Sequence, residues 1–285
     1  MQIHLANSAG FCSGVKRAVR LALETARQND IPVYMLGDIV HNEHVVQELD
    51  RAGIQVVSSL EQIESGVLLI RAHGAVPDIY KSAQHKGLKI IDATCPLVLE
   101  IHKFARQLDE EGYRVVVIGD HGHDEVIGIA GQAASSTIVA SSEEAEQALQ
   151  KRASRIGVVV QSTQDITNVQ KILAVLASKC RELKFFNTIC APTTKHQQEI
   201  RELPRTHDII IIIGSYTSAN TCRMTSIAKA LNARTYQVES ANDVRPEWFE
   251  RTDSVGVSAG ASTPDAVIQQ VMKRIWEIDG EDYHT

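Results

Sequence analysis

Two stretches of this chain read almost alike. One is Leu88-Lys89-Ile90-Ile91-Asp92-Ala93-Thr94-Cys95-Pro96 and the other is Leu183-Lys184-Phe185-Phe186-Asn187-Thr188-Ile189-Cys190-Ala191-Pro192. Cys95 and Cys190 are separated by one third of the 285-residue chain. Each copy is an apolar, strand-like run that delivers a cysteine to a loop just before a helix. A third cysteine, Cys12, follows Ile3-His4-Leu5-Ala6 and precedes the helical run that begins near Gly14. The interval predicts a threefold internal architecture, with one cysteine per third as candidates to share a metal centre on a common axis.

Composition allows this. A chain that is 44% hydrophobic with 7 prolines can bury a large core, and its length corresponds to two or three small domains. The net charge of -6 argues against non-specific nucleic-acid binding, which needs a basic face. No run of about 18 apolar residues is present to span a bilayer. The segment Met1-Gln2-Ile3-His4-Leu5 lacks the basic and apolar regions of a signal peptide, so a cytoplasmic location is the expectation. Five widely spread cysteines fit a reducing compartment with metal or redox chemistry better than a disulfide framework.

Apolar runs bounded by glycine or polar residues recur along the chain: Val33-Gly37, Gly66-Ile70, Val115-Gly119, Ile156-Val160, Ile209-Gly214 and Val255-Ser258. Their near-continuous hydrophobicity is that of strands buried on both faces. Amphipathic stretches lie between them, as at Val15 to Arg27, Leu97 to Leu108, Val169 to Cys180 and Met224 to Leu231. The alternation predicts an α/β protein with mostly parallel sheets and crossover helices, in three pseudo-symmetric small domains. We place the boundaries at residues 1–95, 96–189 and 190–285, where the repeat turns over.

Ligands of such sheets gather at the carboxyl ends of strands. The residues found there are His41 and Asn42, His73 and Gly74, His121 to Glu125, Gln161 to Thr163, Ser215 to Asn220, and Ala259 to Ser262. One acid, several imidazoles and several neutral donors suit a small polyanion held by many hydrogen bonds. A lone histidine at a strand end is more often a packing residue. Three at equivalent strand ends, with Glu125 beside one of them, reverse that balance. His121 reads as structural, and His4, His44, His85, His102, His196, His207 and His284 as ordinary surface or helix residues.

Cys12, Cys95 and Cys190 are too far apart for a zinc ribbon or a local ferredoxin-like cluster motif, so only tertiary structure could assemble them. Each lies near a predicted helix start, which favours thiolate and a bound anionic cluster. Spacing alone leaves a shared cluster and ordinary buried cysteines equally open. Cys180 reads as a core residue on a helix face, and Cys222 as a loop residue near Asn220.

Taken as a set, the segments Gly10-Phe11-Cys12-Ser13-Gly14-Val15, Val40-His41-Asn42, Arg71-Ala72-His73-Gly74, Asp92 to Val98, Gly122-His123-Asp124-Glu125-Val126, Ile189-Cys190 with Thr193-Thr194, Gly214-Ser215 with Asn220, and Ala259 to Ser262 resemble the LytB family of 4-hydroxy-3-methylbut-2-enyl diphosphate reductases. The likeness runs in order from residue 1 to about residue 275 without large gaps. It implies a trefoil of three α/β domains around a 4Fe-4S cluster, with Cys12, Cys95 and Cys190 each ligating one iron and a fourth iron left open as a Lewis acid. It further implies that His41, His73, His123, Ser218, Asn220 and Ser262 hold a diphosphate, with Thr193 and Thr163 nearby. Glu125 would supply a proton relayed through Ser162. The implied reaction is the last step of the non-mevalonate isoprenoid pathway, a two-electron removal of an allylic hydroxyl that gives isopentenyl and dimethylallyl diphosphate. Ferredoxin or flavodoxin would supply the electrons.

The chain departs from the family pattern at four places. Asp124 stands where a proline is usual, adding a charge beside the proposed acid. Ser218-Ala219 replaces paired serines, Ser162-Thr163 replaces paired threonines, and Cys222 stands where an asparagine is often found. An alternative reading is therefore a related iron-sulfur reductase or dehydratase acting on another phosphorylated alcohol.

Overall fold

The computed structural model describes residues 1–150 and 152–280; His284 lies outside the described residues. In chain order, β1 (Gln2–Leu5) leads to α1 (Ser13–Gln28), followed by β2 (Val33–Leu36), α2 (Glu43–Arg51), β3 (Ile54–Val57), β4 (Val67–Ile70), α3 (Pro77–His85) and β5 (Lys89–Asp92). Next come α4 (Pro96–Glu110), β6 (Arg114–Ile118), α5 (Asp124–Ala130), β7 (Ser136–Val139), α6 (Ser142–Ala148), β8 (Ala153–Val160), α7 (Ile166–Ser178) and β9 (Cys180–Phe185). The last part holds α8 (Ala191–Thr206), β10 (Ile209–Ile213), α9 (Ala219–Leu231), β11 (Thr235–Val238), β12 (Ser254–Ala259) and α10 (Asp265–Asp279). Three short 3-10 turns complete the connections.

The strands form three four-stranded sheets, and the pairings between neighbouring strands are parallel. Their orders are β3-β2-β4-β5, β7-β6-β8-β9 and β11-β10-β12-β1. These are one pattern used three times, with β1 standing in the third sheet where β5 and β9 stand in the others. A cut at 1–95, 96–189 and 190–285 keeps the first two sheets whole. It takes β1 away from the third, where Gln2 to Leu5 lie in register with Ser254 to Val257.

Compactness divides the chain into two units. One comprises Met1–Val15, His41–Val45 and the chain from Ala191 onward; the other comprises Lys16–Val40 and Val46–Cys190. In the first, β10 is five isoleucines in a row, all fully buried, because helices cover both faces of the sheet and the usual strand alternation is absent. In the second, Val115 to Ile118 and Val158 to Val160 are buried for the same reason.

Helix α4 shows how sequence sets packing there. Its buried residues Val98, Ile101, His102, Ala105 and Leu108 make one stripe at helical spacing. The stripe meets β8 at Gly157, where an added Cβ would stand 2.6 Å from Leu108 Cδ2. The missing side chain is what lets the helix lie so close.

Two placements differ from the sequence reading. Cys180 is buried but opens strand β9, because α7 ends at Ser178 although its apolar period runs on. Asn220 and Cys222 lie in the first turn of α9 and not in a loop, because Ser218 caps that helix through a hydrogen bond from Thr221 N to its Oγ.

Candidate active site

The repeated sheet order puts the singled-out residues at equivalent strand ends. After the first strand of each pattern come His41, His123 and Ser218; after the third come His73, Ser162-Thr163 and Ser262; after the fourth come Cys95, Cys190 and Cys12. One backbone bond recurs at each fourth strand. Cys95 N donates to Ala72 O at 3.0 Å, Cys190 N to Ser162 O at 3.0 Å, and Cys12 N to Ala261 O at 3.2 Å. Every one of these cysteines is thereby fastened to the loop that carries the polar residues of its own sheet.

The same three cysteines stand immediately before α4, α8 and α1, and all are half-buried. Cys95 is the N-cap of α4 with Pro96 at the first helical position, and Val15 N points at Cys12 Sγ at 3.5 Å. Cys180 is buried instead, and burial pushes its thiol up. Each of the three is a half-buried thiol at the start of a helix, a donor type that suits iron.

In the second unit, Glu125 is buried near the start of α5. Ser162 N donates to its Oε1 at 2.6 Å, and Ser162 Oγ donates to its Oε2 at 2.8 Å. Burial pushes the carboxyl above the usual range; the backbone and hydroxyl bonds from Ser162 pull it down, and Asp120 pushes it up again. His123 caps α5 by accepting from Glu125 N at its Nδ1, at 3.2 Å. In the neutral ring this leaves the proton on Nε2. The His73 ring stands edge-on to His123 with centroids 5.5 Å apart.

The charge that Asp124 brings is met by Arg71, whose Nη1 lies 2.6 Å from Asp124 Oδ2. That ion pair also joins the loop of His73 to the helix of Glu125. The loop turns at Gly74, which has φ +76 and packs so closely on His102 that an added Cβ would stand 2.8 Å from the ring. Thr163 Oγ1 is buried with no hydrogen-bond partner, an exception among buried polar groups. His121 is exposed and pairs with Glu144 at 2.7 Å.

In the first unit, Ser218 Oγ and Ser262 Oγ are 3.4 Å apart, and both residues are buried with Thr193 and Asn220. His41 and Asn42 belong to the same unit, where Asn42 Oδ1 accepts from Val45 N at 3.3 Å and starts α2. Sequence reasoning missed two buried imidazoles, His102 and His196. Both lie on the buried stripe of their helices, a spacing signal that could have found them.

A repeated parallel-sheet unit with cysteines and polar groups at its strand ends defines the class: an α/β protein built by threefold repetition, with its chemistry at the carboxyl edges. Within that class, the chain belongs to the LytB family, whose model matches residues 3–276. It is 43% identical over 279 residues to the 4-hydroxy-3-methylbut-2-enyl diphosphate reductase of Geobacter metallireducens, covering 98% of each chain. It is 41% identical over 282 residues to the reductase of the same name from Aquifex aeolicus, covering 98% of this chain and 97% of that one. A solved structure of (E)-4-hydroxy-3-methyl-but-2-enyl diphosphate reductase, the terminal enzyme of the non-mevalonate pathway, is 40% identical. It covers 97% of this chain and 100% of its own, with a TM-score of 0.71. The E-1-hydroxy-2-methyl-but-2-enyl-4-diphosphate reductase of Plasmodium falciparum is 26% identical and covers 98% of this chain and 90% of its own, with a TM-score of 0.91.

Proposed function

We propose that this protein reduces 4-hydroxy-3-methylbut-2-enyl diphosphate to isopentenyl and dimethylallyl diphosphate, in the cytoplasm, with ferredoxin or flavodoxin as electron donor. The observation that carries the reading is the buried Glu125–Ser162 pair in a chain whose full-length relatives bear that reductase name. The overall change consumes two electrons and two protons. The carbon-oxygen bond breaks, the hydroxyl leaves as water with one proton, and the allylic carbon takes the other.

Cys12, Cys95 and Cys190 would hold a 4Fe-4S cluster through three of its irons. When bound, that cluster supplies the electrons and an open iron that polarises the substrate hydroxyl. Burial disfavours the charge, so Glu125 holds its proton above the usual carboxylate range. Its Oε1 is occupied by Ser162 N, so in the protonated acid the transferable proton belongs on Oε2 and the bond to Ser162 Oγ reverses, the serine oxygen accepting. Passing it to that oxygen while the serine gives up its own proton moves one proton toward the substrate without opening the pocket to water. His123 Nε2, His41, His73, Ser218, Asn220 and Ser262 would hold the diphosphate, with Thr163 and Thr193 beside it.

The cluster assignment is tested with Cys95→Ser and Cys180→Ser, purified without air and analysed for iron, sulfide and visible absorption. Cys95→Ser loses or cripples the cluster and Cys180→Ser keeps it. Full iron content in Cys95→Ser would exclude the three-cysteine site.

A further inference from the structure

His196 and Asn220 form a buried pair of which the reaction as described uses only Asn220. The His196 ring on α8 approaches the carbonyl oxygen of Ser8 through Nε2 at 2.5 Å, and its Nδ1 lies 3.4 Å from Asn220 Nδ2 on α9. A carbonyl only accepts, so Nε2 carries a proton. In the neutral ring Nδ1 is then bare and takes an N–H of the Asn220 amide, whose NH2 group also reaches Met224 Sδ at 3.4 Å. The opposite end of that amide, Oδ1, is buried with no hydrogen-bond partner. Ser8 is itself fixed, since its N donates to Glu199 Oε2 at 2.9 Å and its hydroxyl to the same oxygen at 2.5 Å.

An ionised diphosphate accepts hydrogen bonds and donates none. For Asn220 to hold one through the end now occupied by Oδ1, the amide must turn over. Its oxygen then meets His196 Nδ1, which has to carry a proton while Nε2 still donates to Ser8. We propose that His196 and Asn220 work as one unit, in which diphosphate binding turns the Asn220 amide and His196 Nδ1 takes a proton from solvent. This rests on the reading of Asn220 as a diphosphate ligand given above. The ring starts neutral because burial lowers its affinity for a proton; Lys195 lowers it further, whereas the Ser8 carbonyl and Glu199 raise it. The groups facing it from outside its own helix, Ser8 O and the Asn220 amide, are uncharged. The imidazolium so formed stands behind the amide and adds a positive charge for the bound anion. His196 is thus a positioning residue, and affinity for diphosphate falls as pH rises.

The test is calorimetric titration of isopentenyl diphosphate into anaerobically purified holoenzyme, in buffers of different ionisation heat, to count protons taken up. Wild type takes up about one more proton per ligand than His196→Gln, whose amide mimics the neutral ring but does not titrate. Asn220→Ala binds more weakly and shows the same lower count. Equal counts in all three proteins, with weakened binding in Asn220→Ala, overturn the proton coupling and leave the diphosphate assignment standing. Unchanged affinity in Asn220→Ala overturns that assignment and the inference with it. Should His196→Gln fail to fold, the count for Asn220→Ala decides alone.

Discussion

Glu125 and His102 are both buried titratable groups, and their chemistry runs in opposite directions. Glu125 keeps its proton in the folded state above the ordinary carboxylate range. Between that range and its raised value the folded chain binds more protons than the unfolded one, so this residue's contribution to stability falls as pH rises. Glu125→Gln cannot ionise, so urea titrations across pH should show it free of that loss. Its turnover should drop by roughly 10²- to 10⁴-fold while substrate still binds, because the amide has no proton to transfer. Near-normal turnover would move the proton source to another group. His102 is held neutral down to about 4 by burial first, with Arg106 adding to the effect and Asp92 opposing it. From the free imidazole value of 6.5 down to about 4, the unfolded chain takes a proton that the folded chain does not. Stability should therefore fall with acid through that window, by about 3 kcal/mol at most. His102→Gln should flatten that slope, and an unchanged slope would remove His102 as its cause.

At the scale of elements, α4 joins packing to chemistry because Cys95 caps the helix that Gly157 admits to β8. Gly157→Ala should cost about 1 to 3 kcal/mol by overpacking against Leu108. Leu108→Ala in the same chain should recover part of that loss, since it removes the atoms the new Cβ meets. Thermal unfolding of both single variants and the double variant measures this, and strict additivity would contradict the contact. What the sequence revealed at this scale follows from burial. Central strands such as β10 are continuous apolar runs and are plain to read. Strands β3 and β11 carry Gln55 and Gln237, and β7 begins Ser136-Thr137, so their patterns resemble loops. The start of α9 was hidden for a related reason. Ser218-Ala219-Asn220-Thr221 has turn-like composition, yet the serine side chain caps a helix. The roles given to Glu125, Ser162 and the three cysteines came from the family resemblance, whereas their strand-end positions were legible from the apolar runs that precede them. His102 and His196 were not, because polar residues on a buried stripe look like exceptions to it. The Arg71–Asp124 pair joins a loop to a helix start 53 residues further on, which no local pattern reports.

On the scale of the molecule, the threefold repeat is permuted: the opening strand completes the last sheet, so each cysteine sits at the same edge of one repeated pattern. Repetition alone explains why three cysteines so far apart in sequence share a backbone bond, a helix start and a degree of burial. No helix among the described residues is long and apolar enough to cross a membrane. The central claim is that this repeated scaffold carries a cluster-dependent reductive dehydroxylation. Its most direct test is incubation of 4-hydroxy-3-methylbut-2-enyl diphosphate with anaerobically purified, iron-replete protein and a chemical reductant, followed by chromatography of the products. The account predicts isopentenyl and dimethylallyl diphosphate together, formed only with reductant and lost on exposure to air. Recovery of unchanged substrate from protein of full iron and sulfide content would contradict it.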